Sequence, residues 1–548
     1  MNGLMQEKSL LISSLLEHAE RYSAKVEVVS RRVEGDVHRY TWTDVAQRSR
    51  QLAMALDEMD LPAGSRVASI AWNGYRHLEL YYGVSGSQRV LHTINPRLHA
   101  SQVVWMLEHA EDDVVFFDAS FVELVRTLQP LVPRVRHWVL LGDQAAAERI
   151  SGMPAVVSYE SLLARHSGEY TWPQFDELAA SSLCYTSGTT GNPKGALYSH
   201  RSTVLHSMIL STPGALSIGP QDVVMPVVPM FHVNGWGTPY CSAMVGCKLV
   251  LPGPALDGES VYALIEQEGV TLALGVPTVW QMLLDHVDAR SGTFTSLKRT
   301  TIGGAACSPS MQKHFEDRYG VEVIHAWGMT ETSPLGTTSS LMAEHRSLSR
   351  EAQQQMRLKQ GRPLFGVDLR IVDDRGAEQP WNGQSCGHLQ VKGHWVISSY
   401  FKDECEQRLD DGWFATGDVA TLDANAYLQL TDRSKDVVKS GGEWLSTIDI
   451  ENIAMSHPSV SMAAALGVPH PKWGERPIVL VAKREGAVVS REEVLGLYEG
   501  KLARWQTPDD VIFVDTIPLG ATGKMLKTEL RKLLVNYELP ATVERHAS

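Results

Sequence analysis

The most constraining feature of the sequence is the repeated alternation of short apolar runs with segments of helical periodicity. Such runs occupy residues 65–72, 112–118 and 137–143, and a helical pattern precedes or follows each of them. Strands that read as nearly continuous apolar runs are buried on both faces, which is typical of parallel sheets covered by helices. The alternation therefore predicts a mixed α/β fold for most of the chain.

The pattern changes twice in the last third of the chain. Between residues 367 and 431, short apolar runs follow one another closely and are joined by Gly/Asp turns, which predicts a small antiparallel β module. The segment 431–446 is dense in charge and glycine, and more alternating strands and helices follow it. Among these, Ser490 and Glu493 form a capping-box pattern that predicts a helix ending near Arg504.

These changes divide the chain into two unequal domains. We expect a large N-terminal domain over residues 1–432, made of two α/β subdomains and the β module, with a domain boundary at about residue 433 and a short connecting segment over 433–437. A smaller C-terminal α/β domain over 438–548 completes the chain, and its length of about 110 residues is ordinary for one domain.

Composition excludes several classes of function. The 548 residues include 63 acidic and 50 basic side chains without a run rich in lysine and arginine, which argues against nucleic acid as the main partner. The six cysteines form no C-x-x-C pair, as expected of reduced thiols in a cytoplasmic protein. No apolar run reaches the ~18 residues of a transmembrane helix. Residues 9–22 predict an amphipathic helix packed on its own domain.

The segment 183–195, LCYTSGTTGNPKG, carries the most informative chemistry. Between two apolar runs it places four hydroxyls, three glycines and Lys194. Glycines let backbone N–H groups approach an anion closely, hydroxyls add donors, and the lysine adds charge, which together predict a polyphosphate-binding loop. The loop departs from the G-x-x-x-x-G-K-[ST] pattern, because Pro193 stands at the sixth position from Gly188 and Gly195 follows the lysine. The alternative is a polar surface hairpin.

The sequence T-S-G-T-T-G-x-P-K-G over residues 186–195 resembles the signature of the adenylate-forming superfamily, which includes acyl-CoA synthetases, peptide-synthetase adenylation domains and firefly-type luciferases. Further motifs follow in the family's order over essentially all of residues 10–538. The resemblance implies an enzyme that activates a small carboxylic acid with ATP and Mg²⁺ through an acyl-adenylate, and then transfers the acyl group to coenzyme A. It also implies that the C-terminal domain is a mobile lid.

The same resemblance implies roles for residues at the nucleotide. Trp327 of the motif AWGMTE would stack on adenine, with Gly328 and Met329 beside it. Thr330 would donate to the α-phosphate, and Glu331 would hold Mg²⁺. Binding of the phosphates falls to Thr186, Ser187, Gly188, Thr189, Thr190, Gly191 and Lys194, with Thr186 also at the metal. The adenine would lie on Gly303, Gly304, Ala305 and Ala306, and the ribose would contact Asp418 and Arg433.

For the acid, the resemblance points to the motif PMFHVNGWG over residues 229–237. His232 would stand at the mouth of the carboxylate site, and the acyl group would contact Val233, Gly235, Trp236 and Gly303. Trp236 could instead be an ordinary core residue. Together with Tyr240 and Met244, Val233 and Trp236 are also candidates for an apolar acyl tunnel, which a bulky Trp236 would shorten.

In the lid, Lys524 of the motif PLGATGK would be the catalytic lysine of adenylation. Lys435 would be the hinge about which the lid swings, with a plain linker lysine as the alternative. After that rotation a turn would face the site and admit the pantetheine arm of coenzyme A, although a simple turn is the alternative. That turn comprises Lys439, Ser440, Gly441, Gly442, Glu443 and Trp444.

The motifs also narrow the choice of acid. PMFHVNGWG lacks an aspartate to pair with an α-amino group, which argues against amino acids. Many segments resemble bacterial medium-chain fatty acid–CoA ligases and enzymes acting on 3-methylthiopropionate. We therefore expect a short- to medium-chain fatty acid, with 3-methylthiopropionate or an aryl or other small acid as the alternative. A non-catalytic nucleotide-binding homologue is the alternative of another class, against which the presence of Lys194, Glu331, Asp418 and Lys524 argues. Association as a homodimer is left open.

Overall fold

The computed structural model describes residues 1, 3–150, 153, 156–186, 192–402, 411–434, 436–440, 443–520, 525–535, 537 and 539. The strands, in chain order, are β1 (Glu27–Arg31), β2 (Val37–Thr41), β3 (Arg66–Ile70), β4 (Val90–Thr93), β5 (Asp112–Phe117), β6 (His137–Leu140), β7 (Val156–Ser158), β8 (Ala180–Tyr185), β9 (Gly195–Ser199), β10 (Val223–Pro226), β11 (Lys248–Leu251), β12 (Leu272–Gly275), β13 (Arg299–Ile302), β14 (Glu322–Gly328), β15 (Leu335–Thr338), β16 (Arg362–Pro363), β17 (Val367–Val372), β18 (Gly387–Gly393), β19 (Phe414–Leu422), β20 (Leu428–Arg433), β21 (Val438–Ser440), β22 (Glu443–Leu445), β23 (Val460–His470), β24 (Gly474–Lys483) and β25 (Asp510–Val514). The helices are α1 (Ile12–Tyr22), α2 (Trp42–Glu58), α3 (Tyr75–Gly86), α4 (Ala100–Ala110), α5 (Val122–Leu128), α6 (Gln144–Glu148), α7 (Tyr159–Leu163), α8 (His200–Leu210), α9 (Thr238–Val245), α10 (Gly258–Glu268), α11 (Pro277–Ala289), α12 (Pro309–Lys313), α13 (Arg350–Leu358), α14 (Thr447–Met455), α15 (Arg491–Gly496) and α16 (Lys527–Leu533).

A seven-stranded sheet forms the first α/β subdomain, in the order β7-β6-β5-β3-β4-β8-β9. Its neighbouring strands are parallel, except that β8 and β9 run antiparallel. The glycine- and hydroxyl-rich segment connects β8 to β9. Because an antiparallel pair is joined at one end, both flanks of this segment lie at the same edge of the sheet.

A nine-stranded sheet forms the second subdomain, in the order β16-β15-β14-β13-β12-β10-β11-β1-β2. The six strands from β14 to β1 are parallel, and antiparallel strands complete both ends. One apolar core joins the two sheets through α1, α2 and α3; it contains Val28 and Leu249 of one sheet and Val67 and Phe116 of the other. Because α3 lies inside this core, all twelve of its residues are buried.

The predicted N-terminal helix is confirmed as α1. Its buried apolar residues are Ile12, Leu15, Leu16 and Ala19, which follow helical spacing and belong to the core between the sheets. The helix therefore packs on its own domain, as the sequence predicts. Among the described residues, the structure contains no helix with the length and apolar character needed to cross a membrane.

The predicted antiparallel module is also confirmed. Strands β17, β18, β19 and β20 form a four-stranded antiparallel sheet. The small domain places β23, β21 and β25 beside the long strand β24, with β22 outside β21. Strand β20 ends at Arg433, the first residue of the predicted hinge segment 433–437, and β21 begins at Val438, directly after that segment.

One helix of the small domain is shorter than predicted. The capping box of Ser490 and Glu493 forms as expected, with the Glu493 backbone N–H donating to the Ser490 hydroxyl. However, α15 ends at Gly496 rather than near Arg504. The chain continues through turns to Gly500, whose φ of +72° lies in the left-handed region that glycine adopts readily. Glycine disfavours the helix interior relative to alanine, so Gly496 and Gly500 both weaken a helix that would continue to Arg504.

Candidate active site

A cavity of about 720 Å³ lies where the large domain meets the small one. Residues at the carboxyl ends of parallel strands line it, including Val228 after β10, Leu274 in β12 and Thr301 in β13. Ligands of open α/β proteins bind at this edge of the sheet, and small-molecule pockets typically measure about 300–1,000 Å³. The position and size of the cavity fit a small-molecule site.

Many of the predicted site residues meet in this cavity. The ones that line it are Thr186, Lys194, His232, Val233, Trp236, Gly303, Gly304, Trp327, Gly328, Met329, Thr330, Glu331 and Arg433. Of the described residues, the candidates that do not line it are Gly235, Ala305, Ala306, Asp418, Lys439, Ser440 and Trp444. Other candidates lie outside the described residues: Ser187, Gly188, Thr189, Thr190, Gly191, Lys435, Gly441, Gly442 and Lys524, together with the side chain of Glu443.

The base of the predicted phosphate loop is closed by two hydrogen bonds. The Thr186 backbone N–H donates to the Lys194 carbonyl at 2.9 Å, and the Lys194 N–H donates to the Thr186 hydroxyl at 3.2 Å. At Gly195, an added Cβ would lie 3.0 Å from the Leu183 side chain, so a larger residue would disturb β8. These contacts hold Lys194 at the cavity wall.

The carboxylate of Glu331 is buried at the cavity and is only 5 % exposed. The Tyr400 hydroxyl donates to its Oε1 at 2.5 Å, and the Lys194 Nζ lies 5.0 Å from the centroid of the Tyr400 ring. Thr330, the residue before Glu331, is held through its backbone, because its carbonyl accepts a hydrogen bond from the Tyr198 hydroxyl at 2.6 Å. Tyr400 therefore connects the lysine of the phosphate loop with the acid predicted to hold Mg²⁺.

The residues present fit a magnesium ion that is shared with a ligand. Among the described residues there is no cluster of three or more His, Cys, Asp or Glu that could hold a metal. Mg²⁺ is usually held by one or two carboxylates together with substrate phosphates rather than by an all-protein cage. Glu331 and the Thr186 hydroxyl, both on the cavity wall, supply oxygen donors of that kind.

Asp418 lies behind the cavity wall and orients two residues that form it. Its Oδ2 accepts a hydrogen bond from Trp327 Nε1 at 3.0 Å, and its Oδ1 pairs with Arg433 Nε at 2.9 Å. The negative charge of Asp418 is the main cause that raises the pKa of the Arg433 guanidinium. Gly336 packs on the Trp327 ring, where an added Cβ would lie 2.5 Å from a ring atom. The Trp327 indole is thus held by packing against Gly336 and by the hydrogen bond from its N–H to Asp418.

The segment Val233–Gly237, which we call the acid turn, has a left-handed backbone throughout. Three of its residues are not glycine: Val233 and Asn234 have φ of +41° and Trp236 has φ of +55°. Non-glycine residues in this region cost on the order of 1–3 kcal/mol each and persist only where surrounding contacts hold them. At Gly237, an added Cβ would lie 2.6 Å from Nδ1 of the buried His206.

Trp236 extends from the acid turn to the glycines at the end of β13. An added Cβ on Gly303 would lie 2.9 Å from the Trp236 ring, and one on Gly304 would lie 3.9 Å from it. The glycines predicted for adenine thus also make room for the indole of the acid turn. Tyr240 is a core residue instead: it is 1 % exposed and packs on Tyr81. Neither Tyr240 nor Met244 lines the cavity, contrary to the tunnel predicted from the sequence.

The small domain contributes the segment on both sides of the predicted catalytic lysine. Leu519 and Gly520 before it, and Met525 and Leu526 after it, line the cavity. Helix α16 anchors the segment through Lys527, whose Nζ lies 2.8 Å from Glu451 and 3.2 Å from Asp432. Burial lowers the pKa of Lys527, but the two carboxylates outweigh this and raise it to about 12.

The segment predicted to meet coenzyme A lies elsewhere in this arrangement. The Lys439 Nζ lies 3.4 Å from Asp374 and 4.7 Å from the centroid of the Trp444 ring. Trp444 in turn packs edge-on against His388 of the β module. Ser440 is buried, and its hydroxyl accepts from Arg476 at 3.2 Å. In this orientation of the small domain, the flanks of Lys524 face the cavity and β21 and β22 do not.

Tyr400 and Arg97 are among the cavity residues that the sequence analysis did not predict. Tyr400 lies in no motif, and only its contact with Glu331, 69 positions earlier, reveals its place. Arg97 lines the cavity with its guanidinium 5.5 Å from the centroid of the Trp72 ring and 5.9 Å from that of Phe231. Burial lowers the pKa of Arg97. No motif described in the sequence analysis contains Arg97.

Comparison with known proteins places the chain in a family. The model of the AMP-binding enzyme family matches residues 15–401, and that of the AMP-binding enzyme C-terminal domain matches residues 449–524. The chain is 54% identical to a 3-methylmercaptopropionyl-CoA ligase of Ruegeria pomeroyi, over 97% of this chain and 98% of the relative. It is 50% identical to a medium-chain-fatty-acid–CoA ligase of Ectopseudomonas oleovorans, over 97% of each chain.

Solved structures show the same fold. An anthranilate CoA ligase in complex with anthranoyl-AMP superposes with a TM-score of 0.85 at 21% identity, covering 97% of this chain and 99% of that one. The o-succinylbenzoate CoA synthetase of Bacillus subtilis, in complex with its acyl-adenylate, gives a TM-score of 0.77 at 23% identity, over 96% of this chain and 99% of that one. The chain therefore belongs to the AMP-binding enzyme family, among its acyl-CoA ligases.

Proposed function

We propose that the protein joins a short- to medium-chain carboxylic acid to coenzyme A. The first candidate is 3-methylthiopropionate, which is also called 3-methylmercaptopropionate. The observation that supports this proposal is that one cavity is lined by charged side chains on one part of its wall and by apolar side chains on the rest. Lys194, Glu331 and Arg433 give it a charged wall suited to a nucleotide, and apolar side chains line the rest: Leu210, Leu216, Val228, Val233 and Leu274. Since about 720 Å³ must accommodate both the nucleotide and the acyl group, a short acyl group is favoured.

The named relatives support the same range of acids. The relative at 54% identity is named for 3-methylmercaptopropionate, and the one at 50% identity is named for medium-chain fatty acids. A thioether sulfur is soft and apolar and occupies a hydrocarbon pocket much as a methylene does. Because one methylene changes binding by only about 1–3 kcal/mol, we expect both classes of acid to be activated, with a broad preference.

The first half-reaction makes the acid reactive. A carboxylate is a poor electrophile, so one of its oxygens attacks the α-phosphorus of ATP, and the bond to pyrophosphate breaks. Negative charge accumulates in the transition state, and catalysis depends on positioning and electrostatics. Lys194 and the Thr186 hydroxyl would bind the phosphates, and Thr330 would donate to the α-phosphate. Mg²⁺ held by Glu331 would neutralise part of the phosphate charge.

Other residues would hold the two reactants in place. Asp418 orients Trp327 and Arg433 from behind the wall. The indole would then meet the adenine, and the Arg433 guanidinium would meet the ribose. His232 would orient the carboxylate at the mouth of the acyl side. The small domain would bring Lys524 to the phosphate, since the residues on both sides of it face the cavity. Closing the domain excludes water and lowers the local dielectric constant. The attraction between two opposite unit charges ~4 Å apart then rises from about 1 kcal/mol to about 4 kcal/mol.

In the second half-reaction the thiol of coenzyme A attacks the acyl carbonyl, and AMP leaves. For this step the small domain would rotate about Lys435, which removes Lys524 and brings in the turn that contains Gly441 and Gly442. Glycines at this turn would let the pantetheine arm pass close to the backbone. Lys439, Ser440, Glu443 and Trp444, which flank these glycines, would then approach the site from their present position against the β module.

A panel of acids tests this function. AMP release is measured with ATP and coenzyme A on acetate, butyrate, hexanoate, octanoate, palmitate, cinnamate and 3-methylthiopropionate. We expect the highest kcat/KM for 3-methylthiopropionate or hexanoate, with palmitate and cinnamate far lower. A maximum at palmitate or cinnamate would contradict the proposed acid class, and turnover that does not require coenzyme A would contradict the proposed acceptor.

A further inference from the structure

We propose that Asn234 is a positioning residue for recognition of the acid, because its carboxamide fixes the acid turn that carries Trp236. The inference rests on the proposed function, which assigns the Trp236 side of the cavity to the acyl group. Asn234 itself does not line the cavity and is 4 % exposed. It would act on the acid only through the turn.

The carboxamide of Asn234 bonds to the strand that leads into the phosphate loop. Its Nδ2 donates to the Ser182 hydroxyl at 2.6 Å, and its Oδ1 accepts from the Cys184 thiol at 2.9 Å. The Thr93 hydroxyl of β4 lies 3.5 Å from the same Oδ1 and 3.2 Å from the Cys184 sulfur. A donor and an acceptor of one side chain are thus both paired inside the core, an arrangement that aspartate or alanine cannot reproduce.

The backbone of the turn needs such an anchor. Val233, Asn234 and Trp236 all have positive φ, although none is glycine, and valine is among the residues least suited to that region. Asn234 is at the middle of these three, with one strained residue directly before it and another two positions after it. Its two hydrogen bonds to β8 therefore hold the backbone on both sides.

The position of the turn decides the shape of the acyl side. The Trp236 ring lies so close to Gly303 that an added Cβ there would be 2.9 Å from a ring atom. A small shift of the backbone at Asn234 would therefore move the indole along the glycine surface and change the length of the apolar space. His232, which immediately precedes the turn, would move with it. The expected effect is on the choice and the KM of the acid rather than on ATP.

The test compares three variants in full-length protein. Asn234→Ala removes the carboxamide, and Ser182→Ala removes one partner while leaving Asn234 in place. Ser181→Ala is the matched control, because Ser181 directly precedes Ser182 in β8 and is equally buried. Its hydroxyl donates to the Tyr198 carbonyl and not to the acid turn. For each protein, kcat and KM are measured for hexanoate, octanoate and 3-methylthiopropionate, together with KM for ATP, and thermal midpoints report folding.

We expect Asn234→Ala to raise KM for the acid by about tenfold and to change the ratio of kcat/KM between octanoate and hexanoate, with KM for ATP within about twofold. Ser182→Ala should change the same quantities by about threefold, and Ser181→Ala should leave them unchanged. An unaltered acid ratio in folded Asn234→Ala, or an equal effect on acid and ATP, would overturn the inference. If Asn234→Ala does not fold, Ser182→Ala decides by the same criteria. Failure of the wild-type enzyme to activate any of these acids would instead refute the proposed function.

Discussion

Trp327 donates its indole N–H to the Asp418 carboxylate at 3.0 Å, across 91 positions of the sequence. The same carboxylate pairs with Arg433 opposite it on β20. One buried acid thus orients the aromatic ring and the cation that both face the cavity. We expect Asp418 to serve the proposed nucleotide site from behind the wall, through Trp327 and Arg433. The direct ribose contact that the sequence predicts for it stays a prediction.

Removing the charge of Asp418 should weaken ATP binding. Asp418→Asn keeps an acceptor for Trp327 but loses the ion pair with Arg433, so we expect KM for ATP to rise by about tenfold and KM for the acid to change little. Loss of hydrogen bonding to a charged group should also lower the free energy of unfolding by about 1.5–3 kcal/mol. Steady-state kinetics and urea unfolding measure the two effects.

Asp374→Asn is the control for this change, because Asp374 is an exposed carboxylate after β17 that pairs with His388 and Lys439 outside the cavity. It should leave KM for ATP unchanged. A rise in KM for the acid rather than for ATP in Asp418→Asn would show that Asp418 does not serve the nucleotide.

The two half-reactions should depend on different parts of the lid. Lys524→Ala should slow formation of the acyl-adenylate by on the order of 100-fold or more, because a cation that offsets transition-state charge is lost. Thioester formation from supplied acyl-adenylate should be largely spared. Lys532→Ala, at an exposed lysine of α16 that pairs with Glu529, is the control and should affect neither step. Equal losses in both half-reactions of Lys524→Ala would exclude the role.

Gly442→Trp should have the reverse effect. A bulky side chain in the turn would block the pantetheine arm in the second orientation of the lid, and it would leave the first orientation intact. We therefore expect normal acid-dependent pyrophosphate exchange and strongly reduced acyl-CoA formation. Slower adenylation with normal thioester formation would contradict the two-orientation account.

Trp236 should limit the length of the acid. Trp236→Gly removes the indole from above Gly303 and opens apolar space, so the optimum of kcat/KM should move to longer acids by one or more methylene pairs. Each methylene contributes about 1–3 kcal/mol in a hydrophobic pocket. Trp381→Gly, at an exposed tryptophan of the β module, is the control. A chain-length profile that stays the same in Trp236→Gly would refute this role.

Much of the fold follows from the sequence, because periodicity reports burial directly. The parallel sheets, the antiparallel module and α1 all match their patterns. The acid turn could not be predicted, since valine and tryptophan locally disfavour the positive φ that the hydrogen bonds of Asn234 impose. Tyr400 was missed for a related reason: its place beside Glu331 depends on a long-range contact, and no local pattern marks it.

The motifs contain many of the residues that line the cavity, but they do not show which residues lie behind its wall. Thr186, Lys194, Trp327 and Glu331, which two separate motifs of the sequence supply, all line the cavity. The motif could not show that Asp418 lies behind its partners or that Tyr240 packs on Tyr81 in the core. The side on which a residue lies depends on strand register and on packing of distant helices, which single-sequence patterns do not encode.

The buried His206 should make stability depend on pH. Burial lowers its pKa from 6.5 to about 3, so the folded state keeps it neutral while the unfolded state takes up a proton below pH 6.5. Its contribution is therefore fully present above pH 6.5 and is lost progressively as the pH falls toward 3. At pH 5.5, one unit below 6.5, the free energy of unfolding is therefore lower by about 1.4 kcal/mol than it is well above pH 6.5.

The measurement is urea unfolding of wild type and His206→Gln at pH 7.5 and pH 5.5. The difference in unfolding free energy between the two pH values should be about 1.4 kcal/mol smaller in the variant. His18→Gln, at an exposed residue of α1, is the control for the substitution itself. Equal pH dependence in His206→Gln and wild type would show that His206 does not titrate in this way.

Acid-dependent exchange between pyrophosphate and ATP in the absence of coenzyme A tests the central claim most directly, because only an enzyme that forms a reversible acyl-adenylate catalyses it. The account predicts exchange with 3-methylthiopropionate and hexanoate, and stoichiometric release of AMP and acyl-CoA once coenzyme A is added. Exchange that occurs without any acid, or AMP release that does not require coenzyme A, would contradict it.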